Sequence, residues 1–208
     1  MGLKYQAVGL SGFPFDFIKQ FIAQGYSICV ETGTYYAQTS IELSKHFSEV
    51  HTIEASEEIY AAALKSIKVI PNISAYCGDS RLLLPKILKN KQNSRVVFWL
   101  DAHYSSGNTY NNESPLMEEI DTINALCIDP IIIVDDARFV NMKYNDVNRY
   151  ADLYDFVSCL HYQDRYISCY DDKFFAIPSA FKQQLDNYTQ RASVVDRESM
   201  TSKRNITM

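Results

Sequence analysis

The chain of 208 residues is 47% hydrophobic and 22% charged, values that suit one globular domain with a full core. Its net charge of −5 and pI near 5.4 argue against a broad basic surface for nucleic acid. No apolar run approaches the length of a membrane span and no signal peptide is recognisable, so the cytoplasm is the expected location. The cysteines, Cys29, Cys77, Cys127, Cys159 and Cys169, are odd in number, form no CxxC pair and lie mostly within apolar runs. That usage predicts reduced, buried thiols.

After a loosely structured lead-in, Phe15 to Ala23 carries apolar residues at helical spacing and is ended by Gly25. Ser27–Val30 is a short buried strand that runs into Glu31-Thr-Gly-Thr-Tyr-Tyr-Ala-Gln-Thr-Ser40, followed by a helix over Thr39 to Phe47. Val50–Ile53 is a second strand, closed by Glu54. A helix from Ser56 to Ile67 follows, with Ser56 as its cap and Glu57 and Glu58 in the first turn. Ile73–Tyr76 is a third strand ending in Cys77-Gly-Asp-Ser80, and Leu82 to Asn90 a further helix. Val96–Leu100 and Ile131–Val134 are rich enough in β-branched and aromatic residues to be buried strands, and a helix from Pro115 to Leu126 joins them.

Strand and helix alternate up to this point, which predicts a parallel sheet with helices on both faces. Beyond Asp136 the character changes. Asn148–Phe156 reads as a helix, and Tyr166–Tyr170 and Lys173–Ile177 as strands joined by a hairpin turn at Asp171-Asp172. The expected fold is therefore α/β: a Rossmann-like, doubly wound, mostly parallel seven-stranded sheet with a C-terminal antiparallel hairpin. It forms a single domain over residues 1–208, with its core at about 24–178 and a polar tail from about 190 to 208.

Acids stand where strands stop: Asp101 after Val96–Leu100, and Asp135 and Asp136 after Ile131–Val134. The carboxyl ends of parallel strands line the ligand crevice of an open α/β sheet. Three carboxylates converging there would repel unless a cation sat among them, and Mg²⁺ takes such oxygen ligands. Alternatively, Asp101 and Asp136 are ordinary turn or cap acids.

The loop Glu31-x-Gly33-x-x-x-Ala37-x-Thr39 lacks the second and third glycines that a pyrophosphate needs to approach a helix N-terminus, which disfavours a dinucleotide. Glu54 is spaced to accept from ribose hydroxyls, and Asp79 and Ser80 to meet an adenine edge. Together they suggest an adenosine with a positively charged, phosphate-free appendage, a description that S-adenosylmethionine fits.

These motifs resemble the class I S-adenosylmethionine-dependent methyltransferases over roughly residues 24 to 178. The Glu31–Thr39 loop is similar to the E-x-G-x-x-x-G-x-S loop of metal-dependent O-methyltransferases, and the final hairpin to their last two strands. The spacing of Asp101, Asp135 and Asp136 resembles that of the macrocin/novobiocin-type sugar O-methyltransferases, and the WLDAHYSSGNT…SPLMEEI segment that of bacterial methyltransferases linked with glycan biosynthesis. The resemblance implies cofactor contacts from Glu31, Thr32, Gly33, Thr34, Tyr35, Thr39, Glu54, Ala55, Asp79, Ser80 and Asp101, and a Mg²⁺ held by Asp101, Asp135 and Asp136. His103 stands where the novobiocin type has an acidic base, and Ala37 where the loop has glycine.

The chemistry implied is methyl transfer to a hydroxyl, with His103 and Asp101 as catalytic residues and a small polyol, sugar or glycan as acceptor. A metal-independent O- or N-methyltransferase and a non-catalytic cofactor-binding scaffold are the alternatives, and a homo-oligomer is compatible with either. Arg138 is expected to form a plain salt bridge, Trp99 to be core, and His46 and His51 to lie at the surface.

Overall fold

The computed structural model of the chain describes residues 12–102, 114–139 and 152–190. Seven strands form one sheet: β1 (Ile28–Thr32), β2 (Glu49–Glu54), β3 (Ile73–Cys77), β4 (Val96–Leu100), β5 (Ile131–Val134), β6 (Arg165–Tyr170) and β7 (Lys173–Pro178). Their order is β3-β2-β1-β4-β5-β7-β6. The first five are parallel, and β7 runs antiparallel to both β5 and β6. The expected doubly wound sheet with its terminal hairpin is what the chain forms.

The helices are α1 (Phe15–Ile22), α2 (Gln38–Ser44), α3 (Glu57–Ile67), α4 (Ser80–Leu88), α5 (Leu116–Leu126) and α6 (Leu153–Leu160), with residues 182–190 also helical. Strand alternation sorts the core into two layers. Val96, Phe98 and Leu100 of β4 pack with α4, α5 and α6 on one face, while Val97 and Trp99 meet α1, α2 and Leu185 on the other. All five β4 residues are buried, as are all four of β5. Each such side chain contributes roughly 1.5–3 kcal/mol by leaving water, so the sheet centre is the firmest part of the molecule.

Local chemistry sets the element ends. Ser56 caps α3 by accepting from the Ile59 N–H at 3.4 Å, and Asp79 caps α4 by accepting from Arg81 N–H at 2.9 Å. Asp152 caps α6 through the Asp155 N–H at 3.0 Å, so this helix starts at Leu153 and runs to Leu160. The expected span began at Asn148, and residues 148–151 lie outside the described residues. The polar tail beyond 190 also lies outside them.

Two expectations are corrected. Cys29 and Cys127 are buried and all five thiols are free, but Cys77 and Cys169 are exposed because they lie on the edge strands β3 and β6. His51 is buried, not superficial: its ring nitrogens meet the Tyr76 hydroxyl at 3.0 Å and a Glu49 carboxylate oxygen at 2.8 Å. Burial lowers its pKa. No helix among the described residues is long and apolar enough to cross a membrane.

Candidate active site

The strand order reverses direction at β1, whose neighbours are β2 on one side and β4 on the other. Ligands of open α/β sheets bind at the carboxyl ends beside such a switch point. Here the backbone ladder carries past the strands, with Asp101 N–H donating to Thr32 O and Asp135 N–H to Leu100 O, each at 3.0 Å. Gly33, Asp101, Asp135 and Lys173 therefore stand side by side across the end of the sheet.

Gly33 makes that alignment possible. It has φ +89°, and a Cβ there would lie 2.5 Å from the Asp101 backbone oxygen. The close approach that glycine permits is thus made by the end of β4. Past Gly33 the loop stays left-handed at Tyr35 (φ 48°) and Ala37 (φ 62°). Ala37 stands at the start of α2 in a conformation that glycine adopts without strain, which accounts for the glycine of the similar loop.

Glu54 holds this loop from β2. One carboxylate oxygen accepts from Tyr35 N–H at 2.8 Å and the other from Ser56 N–H at 2.9 Å. Each oxygen can accept further bonds. Tyr35 and Tyr36 stand out from the loop with rings 4.3 Å apart, both more than half exposed. Ala55 is half-buried between Glu54 and the α3 cap.

Glu31 is fully buried beneath the loop, where the hydroxyls of Ser40 and Thr52 donate to it. Burial raises its pKa to about 7, with the Asp101 and Glu54 charges adding to the rise. Thr34 is buried and shares a hydroxyl contact with Thr52, while Thr39 is only half-buried on the first turn of α2. Ser40, rather than Thr39, is the α2 hydroxyl that reaches Glu31.

On the opposite face Thr32 donates to Glu119 of α5 at 3.4 Å. Glu119 is buried, one of its oxygens has no hydrogen-bond partner among the described residues, and desolvation raises its pKa to about 7 against the opposing Ser80 and Thr32 hydroxyls. The Asp79 carboxylate is taken up by the α4 cap and by the Arg81 guanidinium at 2.7–3.0 Å, which lowers its pKa. Glu119, Ser40 and Thr52 were not singled out in the sequence: a buried acid and two hydroxyls inside otherwise ordinary elements give no local signal.

Two acid pairs meet at the far end of this row. Ala137 N–H donates to Asp172 O at 2.8 Å and Arg138 N–H to the Asp172 carboxylate at 2.9 Å, which fastens the segment after β5 to the β6–β7 turn. Arg138 pairs with Asp136 at 2.6 Å and also with Asp172. Lys173 Nζ donates to Asp171 O at 2.8 Å and to the Asp171 carboxylate at 3.3 Å, and stands 4.0 Å from Asp135. Each acid of the β5 pair is thus bridged by a cation to one acid of the turn. Burial, with Asp101 next, raises the Asp135 pKa to about 6, opposed by Lys173.

The three aspartates expected to share a Mg²⁺ do not fit that role as one donor set. Among the described residues no group of three His, Cys, Asp or Glu side chains is arranged to hold a metal ion. The physical reason is the cations: Asp136 turns to Arg138, and Lys173 approaches Asp135. His103, Tyr104 and nearly all of the loop to Ser114 lie outside the described residues. Trp99 is core, at 1% exposure.

The sheet order, the crevice at β1 and β4, and the terminal hairpin make a Rossmann-like fold of the kind found in solved methyltransferases. No protein-family model matches the chain, and no curated protein does. Among solved structures it is similar to the O-methyltransferase TomG from Streptomyces achromogenes, involved in tomaymycin synthesis and solved with SAM. Identity is 14% and the TM-score 0.54, with 79% of this chain and 80% of that one covered. It is likewise similar to an O-methyltransferase from Bacillus cereus solved with SAH, at 14% identity and a TM-score of 0.52, over 79% of this chain and 81% of that one.

Proposed function

We propose that the chain is an S-adenosylmethionine-dependent O-methyltransferase that acts on a hydroxyl of a small polyol, sugar or glycan. The observation that carries this reading is Glu54, a buried carboxylate at the end of β2 that clamps the Gly33 loop and can still accept further hydrogen bonds. Ribose hydroxyls are donors of the kind it would accept. The donor set suits the cofactor as a whole: acids at Glu31, Glu54, Asp101 and Asp135 favour a cationic ligand over a phosphorylated one.

When bound, S-adenosylmethionine supplies an electrophilic methyl carbon on a positively charged sulfur. The chain's part is to hold the acceptor in line and to take its proton. Asp101, at the mouth of the crevice, and His103, two residues further on, are assigned to the proton. Thr32, Gly33, Thr34, Tyr35, Thr39, Ala55, Asp79 and Ser80 are assigned to the cofactor pocket. The glycan acceptor rests on the resemblance of the WLDAHYSSGNT segment.

A second reading adds a divalent ion such as Mg²⁺ at Asp101 and Asp135. Repulsion between the two carboxylates speaks for it, and the Lys173 ammonium 4.0 Å from Asp135 speaks against it. Calorimetric titration with S-adenosylmethionine and S-adenosylhomocysteine tests the main reading. Wild type should bind both, and Glu54→Ala should bind neither. Absence of binding by the wild type would sink the methyltransferase reading and leave a scaffold of the same fold.

A further inference from the structure

Lys173 is an unusual residue for its place. It opens β7, whose other residues are Phe174, Phe175, Ala176, Ile177 and Pro178, and the whole strand is buried. Its side chain is 2% exposed, whereas lysine seldom leaves water without an anionic partner. Its register neighbour across the sheet is the segment that carries Asp135, since Val134 pairs with Phe174. The ammonium is therefore delivered by the backbone ladder, not by a mobile surface stem, to the end of the sheet where Asp101 and Asp135 follow β4 and β5.

The surroundings specify a charge and not a packing role. Nζ donates to the Asp171 carbonyl and carboxylate. Asp135 at 4.0 Å receives the field of the same ammonium. The companion bridge, Arg138 between Asp136 and Asp172, takes the third aspartate out of any shared ligand set. A divalent ion seated between Asp101 and Asp135 would have to stand close to a positive charge fixed 4.0 Å from Asp135, and the two would repel.

We propose that Lys173 is the resident cation of this site: its ammonium counter-charges Asp135 and excludes a divalent ion, so that the reaction proceeds without metal. This inference rests on the methyltransferase reading for its activity arm and on geometry alone for its metal-binding arm. Lys173 acts here as a positioning residue. It holds Asp135 in place from across the β5–β7 ladder, and every proton step stays with the residues already assigned.

The test is Mn²⁺ binding, followed by electron paramagnetic resonance and calorimetry, on wild type, Lys173→Met, Lys173→Arg and Asp135→Asn, without cofactor or acceptor. Wild type and Lys173→Arg should show no site tighter than millimolar. Lys173→Met should acquire one, and the added Asp135→Asn should remove it. In the activity arm, wild type should keep its rate in EDTA. Lys173→Met should lose at least tenfold in kcat with an unchanged affinity for S-adenosylmethionine, and Mn²⁺ should restore part of the rate. A purely structural lysine would predict none of that restoration.

Tight Mn²⁺ binding by the wild type that Asp135→Asn abolishes would overturn the proposal, as would an unaltered kcat in Lys173→Met. Where Lys173→Met does not fold, the wild-type and Lys173→Arg titrations still decide. Where the wild type binds no S-adenosylmethionine, the methyltransferase reading fails while the Mn²⁺ arm continues to judge Lys173.

Discussion

Both oxygens of the Glu54 carboxylate accept from backbone N–H groups, so a glutamine in its place must turn its NH₂ toward one of those donors. Glu54→Gln should cost about 1–3 kcal/mol of stability, the usual cost of an unsatisfied buried polar group, measured by urea unfolding. It should also weaken S-adenosylmethionine binding about tenfold or more, equivalent to roughly 1.4 kcal/mol, measured by calorimetry. Glu54 was legible in the sequence because an acid directly after an apolar run marks a strand end. Asp101 and Asp135 were legible for the same reason. Lys173 was not, although the signal was there: a lone cation opening an otherwise apolar strand. Its meaning depends on β7 lying against β5, and only the register between segments distant in sequence supplies that. His51 was misjudged for a related reason, since its burial depends on Tyr76 from the neighbouring strand.

At the scale of elements, the loop between β1 and α2 is fixed by one contact with the end of β4. Gly33→Ala would drive a Cβ into the Asp101 backbone oxygen at 2.5 Å, where neither partner is a flexible side-chain end, and would require a positive φ of alanine. A loss of about 3 kcal/mol is expected, at the upper end of ordinary single substitutions, together with loss of cofactor binding. Thermal unfolding and titration would show both. A gentler check concerns α6. Asp152→Ala removes its cap and should cost about 1 kcal/mol without altering the site. The order of strands and helices was readable because each has its own hydrophobic period. The start of α6 was misplaced because the apolar pattern alone does not show which polar residue caps it. The ion-paired turn was only half readable: Asp171-Asp172 announces a hairpin, but its bridges to Asp135 and Asp136 are tertiary.

For the whole molecule, the buried acids set how stability varies with pH. Glu31 and Glu119 have pKa values near 7 in the folded state and Asp135 near 6, all raised chiefly by burial. Between the unfolded carboxylate range and pH 7 the folded chain therefore holds protons that the unfolded chain releases. Stability should fall as pH rises through that window, by up to about 1.4 kcal/mol per pH unit for each group, and level off above it. Urea unfolding between pH 5 and 8 would show the slope, and Glu31→Gln should flatten it. A flat profile in the wild type would mean that these acids are not desolvated as described. The chain also carries its own reporter for such experiments. Trp99 is its single tryptophan, sealed in the sheet two residues before Asp101. Its fluorescence should be blue-shifted in the native protein and move to the red on unfolding, so that one intrinsic chromophore follows both the melting of the sheet and any disturbance transmitted from the crevice above it.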